Sequence, residues 1–304
     1  MSKALSQFFC TSQYSTEEIE NLFQRTEKFK QQFNQSGLIE ATNTRGKIVV
    51  LAFFEPSTRT RLSFETAAHR LGMKPIQFSD AGSSSISKGE DFFTSLKNIA
   101  QLKPDLIIQR WKTPSDLWER TVELSIPMIN AGYSCESHPT QALLDIFTMQ
   151  ENLGPLKGRK FFIYGDIQHS RVAQSNIELL LRMGVEVGFS CPDEFLPKQD
   201  LWQRAERFEK LSEGIGWCDI VMGLRVQLER HKNEFQKDEY LAKYQFNKNH
   251  LSVLSSNAII MHPGPFNLGV ELTSEVLNDS RVKIYDQVEN GVYLRAALME
   301  AVIS

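Results

Sequence analysis

The chain has 304 residues, 41% of them hydrophobic and 23% charged, an ordinary globular composition with length for two domains of about 150 residues each. Its net charge of −3 gives no electrostatic footprint for nucleic acid or an anionic membrane, so any basic cluster is read as local and aimed at a small anion. No stretch approaches the roughly 20 apolar residues of a membrane span, Met1–Thr11 has no apolar signal core, and Cys10, Cys135, Cys191 and Cys218 form no Cys-x-x-Cys pair; the expectation is a cytoplasmic protein without metal, cofactor or disulfide framework.

In chain order, Ser15-Thr-Glu-Glu18 resembles a capping box and predicts an amphipathic helix over 15–36, running through Phe23 and Phe29. Ile48–Phe54 is a short apolar run bounded by charge, the pattern of a fully buried strand. Phe64, Ala67, Ala68 and Leu71 then recur on one helix face, with Gly72 placed to end the helix. Between strand and helix lies Pro56-Ser-Thr-Arg-Thr-Arg61. One reading is a plain cap, with Ser57 or Thr58 accepting from the first free N–H groups. That leaves Arg59 and Arg61 set against the positive end of the helix dipole, where they make sense if a dianion is held there.

The stretch Phe78–Glu90 holds five serines and two glycines and by composition is a flexible surface linker, so its Lys88 matters only once a phosphate is in play. A helix over Asp91–Gln101 leads to a strand, Asp105–Gln109, that ends in Arg110-Trp111. A further helix (Ser115–Leu124) and a strand (Pro127–Asn130) run into His138-Pro-Thr-Gln141, which opens a helix packed by Ala142, Leu143, Ile146 and Phe147. Ligands of open parallel sheets bind beyond the carboxyl ends of the strands. The 56–60 segment, Arg110 and His138 all follow such ends and are expected to converge, although His138 alone reads equally well as a structural histidine.

Asn152–Arg159, polar and broken by Gly and Pro, is the best domain boundary. Strand Lys160–Tyr164, loop Gly165–Arg171, a helix with Ala173, Ile177, Leu180 and Leu181 on one face, and strand Val185–Ser190 repeat the alternation. The turn has one glycine where a dinucleotide fingerprint needs three, which argues against nicotinamide or flavin. Strand Asp219–Leu224 ends in Arg225-Val-Gln227, Ala258–Met261 ends in His262-Pro-Gly-Pro265, and an apolar helix over Val292–Val302 closes the chain. The fold class is α/β: two doubly wound domains, each with a central, mainly parallel sheet flanked by helices. Their expected limits are 1–138 with 288–304 and 152–287, joined by a helix over 139–151.

Five segments in register, Phe54-Glu-Pro-Ser-Thr-Arg-Thr-Arg-Leu-Ser-Phe-Glu65, His138-Pro-Thr-Gln141, Gly165-Asp-Ile-Gln-His-Ser-Arg171, Leu224-Arg-Val-Gln-Leu-Glu-Arg230 and His262-Pro-Gly-Pro265, resemble the aspartate/ornithine carbamoyltransferase family over nearly the whole chain, and its aspartate branch in particular. The resemblance implies transfer of the carbamoyl group of carbamoyl phosphate to the α-amine of aspartate, a step of pyrimidine biosynthesis. It implies a homotrimer whose active sites are shared between subunits, and leaves a regulatory or pathway-enzyme partner open. Carried over, Ser57, Thr58, Arg59, Thr60 and Arg110 would bind the phosphate. Thr60, Arg110 and His138 would donate to the carbamoyl oxygen, while Gln141 and the backbone carbonyls around Gly264 and Pro265 would hold the carbamoyl amide. Arg171, Arg225 and Gln227 would take the two carboxylates of aspartate, with Ser85 and Lys88 entering from a neighbouring subunit.

Tyr133, Ser134, Ser137, Trp111 and Leu268 depart from the usual family pattern, which bears on affinity and domain closure. An ornithine enzyme would need acidic groups and a cysteine in the segment that here reads His262-Pro-Gly-Pro265. A non-catalytic anion-binding subunit would have lost one of Arg59, Arg110, His138 or Arg171, and all four are present.

Overall fold

The computed structural model describes residues 7–55, 57–79, 90–111, 121–133, 137–226 and 237–304. Of the expected site residues, Ser85, Lys88 and Gln227 lie outside them, as do Pro56, Ser134 and most of the helix expected over 115–124. The chain divides into two compact units, Met1–Leu144 with Val288–Ser304 and Asp145–Gln287.

The first unit is built on a parallel sheet of β1 (Gln7–Phe8), β2 (Ile48–Phe53), β3 (Lys74–Ser79), β4 (Leu106–Trp111) and β5 (Met128–Tyr133). Its order is β1-β5-β4-β2-β3. Central strands of a parallel sheet are covered on both faces, which is why β2 reads as an unbroken apolar run. Val49, Leu51 and Ala52 are wholly buried, and truncating a residue such as Leu51 would cost about 2–5 kcal/mol. Helix α1 (Thr16–Ser36) starts on the predicted capping box, Ser15 Oγ accepting from Glu18 N while Glu18 accepts from Ser15 N. Helix α2 (Thr58–Arg70) buries Phe64, Ala67 and Ala68 and stops at Gly72, whose φ of 70° is the left-handed conformation expected of a helix-ending glycine. Helix α3 (Phe92–Gln101) is capped by Asp91, and α4 (Pro139–Leu153) begins directly after His138.

The second unit repeats the plan. Strands β6 (Lys160–Tyr164), β7 (Glu186–Ser190), β8 (Glu206–Arg207), β9 (Ile220–Gly223) and β10 (Ile259–Met261) pair in parallel in the order β10-β9-β6-β7-β8. Helix α5 (Arg171–Arg182) follows β6, with Ala173, Ile177, Leu179 and Leu180 buried. The unit's core gathers Phe162, Tyr164, Ile215, Val221, Phe246 and Ile260.

Several elements differ from the sequence reading. Strands β4 and β5 run on through Trp111 and Tyr133, because the polar residues that seemed to end them, Gln109, Arg110 and Asn130, are themselves buried. Strand β3, for which the sequence reading names no strand, includes Phe78 and Ser79 of the expected loop; pairing with β2 along its full length supplies what local pattern does not. The last helix, α6 (Ile284–Ile303), starts eight residues before Val292. Gly291 sits inside the helix where a Cβ would lie 2.7 Å from Arg295 Nη1, so close packing accounts for it. Among the described residues, no helix is long and apolar enough to cross a membrane.

Candidate active site

Each sheet has one point where the strand order reverses, and such a switch point opens a crevice beyond the carboxyl ends of two adjacent strands. In the first unit the chain leaves β2 for β3 on one side and returns to β4 on the other, so the switch lies between β2 and β4. Phe54 and Glu55 leave the end of β2, and Arg110 stands at the end of β4, paired in register with Phe53. The two are bonded directly, Phe54 N donating to Arg110 O at 2.9 Å.

Ser57 occupies the N-cap of α2 but its hydroxyl accepts no capping bond, and the first turn carries no acidic residue. A 13-residue helix thus presents its first N–H groups without a capping bond to the Ser57 hydroxyl. Ser57 is half-buried, Thr58 and Arg59 are exposed, and Thr60 is buried in the first turn. Arg61 turns aside, its Nη1 donating to Gln77 Oε1 at 3.3 Å on β3.

Arg110 is buried and its guanidinium is held in place from several sides. Its Nε donates to Glu55 Oε2 at 3.3 Å, and its Nη1 donates to Ala131 O at 3.3 Å and approaches His138 Nε2 at 3.4 Å. A guanidinium can only donate, so the last contact fits the histidine tautomer with its lone pair on Nε2. Gly132, with φ 125°, lies against this pair: a Cβ there would stand 3.0 Å from Arg110 Nη1 and 3.5 Å from His138 Cδ2. Asn130 shapes the turn, its Oδ1 accepting from Gly132 N at 2.8 Å while its Nδ2 donates to Phe9 O at 2.7 Å. Gln141 is buried in the first turn of α4, its N–H donating to His138 O at 3.0 Å. The first unit therefore brings Ser57, Thr58, Arg59, Thr60, Arg110, His138 and Gln141 to the loops and helix starts that follow β2, β4 and β5.

In the second unit the switch lies between β6 and β9. Arg171 is the first residue of α5, capped by Ser170, whose hydroxyl accepts from Ala173 N at 3.1 Å. Arg225 follows β9 and is half-buried. The two loops nearly touch: a Cβ on Gly165 would stand 2.5 Å from Leu224 O, so only glycine fits there. Asp166, fully buried, accepts from His169 N at 3.3 Å and lies 2.7 Å from His169 Nδ1. Gly264 and Pro265 follow β10 in a turn that begins with His262, whose N–H donates to Gln287 Oε1 and whose Nδ1 accepts from Gly264 N. Gln287 in turn donates to Asp145 Oδ1, and Asn176 Nδ2 donates to Asp145 Oδ2, making a buried polar chain under the turn.

Glu55, Asn130, Gly132 and Glu271 escaped the sequence reading. The one signal was Glu55, inside the quoted Phe54–Glu65 motif; the others are common residue types whose roles depend on partners distant in sequence.

Residues 6–151 match the family description "Aspartate/ornithine carbamoyltransferase, carbamoyl-P binding domain", and residues 157–302 match "Aspartate/ornithine carbamoyltransferase, Asp/Orn binding domain". The aspartate carbamoyltransferase catalytic subunit of Solibacter usitatus is 42% identical over 94% of this chain and 95% of its own length. The structure of aspartate transcarbamoylase from Trypanosoma cruzi in complex with N-(phosphonacetyl)-L-aspartic acid is similar with a TM-score of 0.89 at 26% identity, covering 100% of this chain and 98% of that one. The catalytic subunit of aspartate transcarbamoylase from M. jannaschii is similar with a TM-score of 0.88 at 27% identity, covering 98% of each chain. Two parallel sheets, each carrying arginines at its switch point, thus coincide with a match across both halves, and the chain belongs to the aspartate/ornithine carbamoyltransferase family.

Proposed function

We propose that the chain transfers the carbamoyl group of carbamoyl phosphate to the α-amine of L-aspartate, giving N-carbamoyl-L-aspartate and phosphate. The observation that carries this reading is the pair of switch points. One joins a helix N-terminus without side-chain cap to Arg110 and His138, and the other carries Arg171 and Arg225. The first suits a dianion next to a carbonyl; two arginines suit a dicarboxylate through bidentate pairing. The latter favours aspartate over the cationic side chain of ornithine.

In the reaction the amine lone pair attacks the carbonyl carbon, the bond from that carbon to the bridging phosphate oxygen breaks, and phosphate leaves with the electron pair. Phosphate is a good leaving group and can take the amine proton, so no protein nucleophile or strong base is required. The chain's part is to hold phosphate with the 57–60 backbone, its hydroxyls, Arg59 and Arg110. Thr60, Arg110 and His138 donate to the carbonyl oxygen as charge develops, each such donor being worth roughly 3 kcal/mol. Gln141 and the carbonyls around Gly264 and Pro265 orient the carbamoyl amide, and Arg171, Arg225 and Gln227 bind the aspartate carboxylates. His138 Nε2 cannot accept from Arg110 and donate to substrate at once, so the donor role requires Arg110 to turn onto the phosphate.

The same reading includes a cytoplasmic homotrimer in which Ser85 and Lys88 of one chain complete the crevice of the next, since the Glu55 carboxylate on Arg110 offsets part of the charge that Arg59 and Arg110 bring to a doubly charged phosphate. The deciding assay is formation of carbamoyl aspartate by the purified chain, with ornithine as the competing acceptor. No product with aspartate would sink the proposal; product with ornithine alone would move it to the other branch.

A further inference from the structure

Glu271 is a fully buried acid that the reaction above does not use. Its carboxylate joins two separate loops of the second unit. Oε1 accepts from Val226 N at 2.8 Å, immediately after Arg225. Oε2 accepts from Asn267 N at 2.6 Å, two residues after Pro265, and Oε1 also accepts from Asn267 Nδ2 at 3.0 Å. Asn267 Nδ2 reaches on to Val226 O at 3.4 Å, closing the link from the other side. The backbone of Glu271 is itself anchored, its carbonyl accepting from Tyr164 O–H at 2.9 Å and from Phe246 N at 2.9 Å.

An ionised carboxylate suits these contacts because all the neighbours donate, and bonds to a charged acceptor are the stronger kind. A buried acid with this many backbone donors is expensive for folding alone, since an apolar side chain of similar size could fill the space. Its placement explains it better: it fixes the residue after Arg225 relative to the turn that carries Gly264 and Pro265.

We propose that Glu271 is a positioning residue that locks the Arg225 loop to the 264–267 turn and thereby sets the affinity for the amino-acid acceptor. The functional half of this proposal rests on the carbamoyltransferase reading; the locking half does not.

The test uses the purified full-length chain and two variants. Glu271→Gln keeps the size but turns an –NH2 toward one of the backbone donors. Asn267→Ala removes two of the links at a half-buried position and serves if the first variant does not fold. Amide hydrogen exchange, which needs no substrate, is measured over 224–226 and 264–269, with strand β6 as the reference. Both segments should exchange at least tenfold faster in either folded variant while β6 is unchanged. The KM for the acceptor that the wild-type chain uses should rise about tenfold to a hundredfold in Glu271→Gln and less in Asn267→Ala, the loss expected for a bond to a charged group. The carbonyls around Gly264 and Pro265 belong to the same turn, so carbamoyl phosphate binding should weaken as well, but by several-fold less than the acceptor KM rises. Unchanged exchange in both segments overturns the lock. Faster exchange with acceptor KM unmoved, or with both substrates weakened alike, overturns the positioning role. A wild-type chain that forms no carbamoyl product defeats the carbamoyltransferase reading and with it the functional half, while the exchange result still decides the lock.

Discussion

Gly132→Ala probes how tightly the Arg110 cluster is built. At φ 125° an alanine is strained, at about 2 kcal/mol, which for a unit of this size lowers Tm by roughly 4–8 °C. The added methyl would also stand 3.0 Å from Arg110 Nη1 and 3.3 Å from its Cζ, closer than a comfortable contact, so the guanidinium has to give by a few tenths of an ångström. It is held by Glu55 and Ala131 O, and moving it loosens charge-assisted bonds worth about 1.5–3 kcal/mol. Carbamoyl phosphate should therefore bind roughly ten- to a hundredfold more weakly, as read by calorimetry. Gly37→Ala is the control: its φ of 72° is also left-handed, but nothing lies within 4 Å of the added carbon. That variant should lose stability without losing affinity. A folded Gly132→Ala chain that binds carbamoyl phosphate like the wild type would refute the placement of Arg110 in the anion site.

The remaining predictions address chemistry, specificity, assembly and stability. His138→Ala should lower turnover by about 10²–10³ with carbamoyl phosphate binding changed far less, and unaltered turnover at saturating substrates would remove it as an oxyanion donor. Arg225→Ala should damage aspartate use and leave carbamoyl phosphate affinity nearly intact; equal losses in direct binding measurements would contradict its role. If the chain forms the proposed trimer with a shared site, inactive Arg59→Ala and Lys88→Ala assemblies, dissociated and reassembled together, should regain activity, and verified mixed assemblies no better than their parents would exclude sharing. Glu300 is buried, which raises its carboxyl, but Arg25 at 2.6 Å and Thr42 N at 2.7 Å outweigh this and hold it below its ordinary 4.5. A lowered folded value means its stabilisation is complete above about pH 4.5 and is lost as pH falls through that lowered value. Glu300→Gln should then cost about 1–2 kcal/mol at pH 7, allowing for the partly exposed Arg25, and progressively less by denaturant melts as pH falls below about 4.5; a deficit that does not shrink with falling pH would show a packing effect instead.

The sequence by itself determined several of the elements that surround the candidate site. The unbroken run before Glu55, the helix face of Phe64, Ala67 and Ala68, and the glycine at 72 are local signals, because strand burial, helix periodicity and left-handed termination are each settled within a few residues. The motif at 57–60, Arg110 and His138 could be proposed from their places after strands, and Arg171 and Arg225 from the family resemblance. Only the tertiary structure decided which strand ends are neighbours. Strands β2 and β4 pair although β3 and α3 intervene, and β6 pairs with β9 across β7 and β8, since sheet order is fixed by non-local pairing and crossover handedness. It alone revealed that Glu55, Asn130 and Gly132 brace Arg110, and that Glu271 ties two loops together. A carboxylate or a glycine looks in sequence like any other of its type, and its meaning comes from the donor or the side chain that folding brings into contact with it.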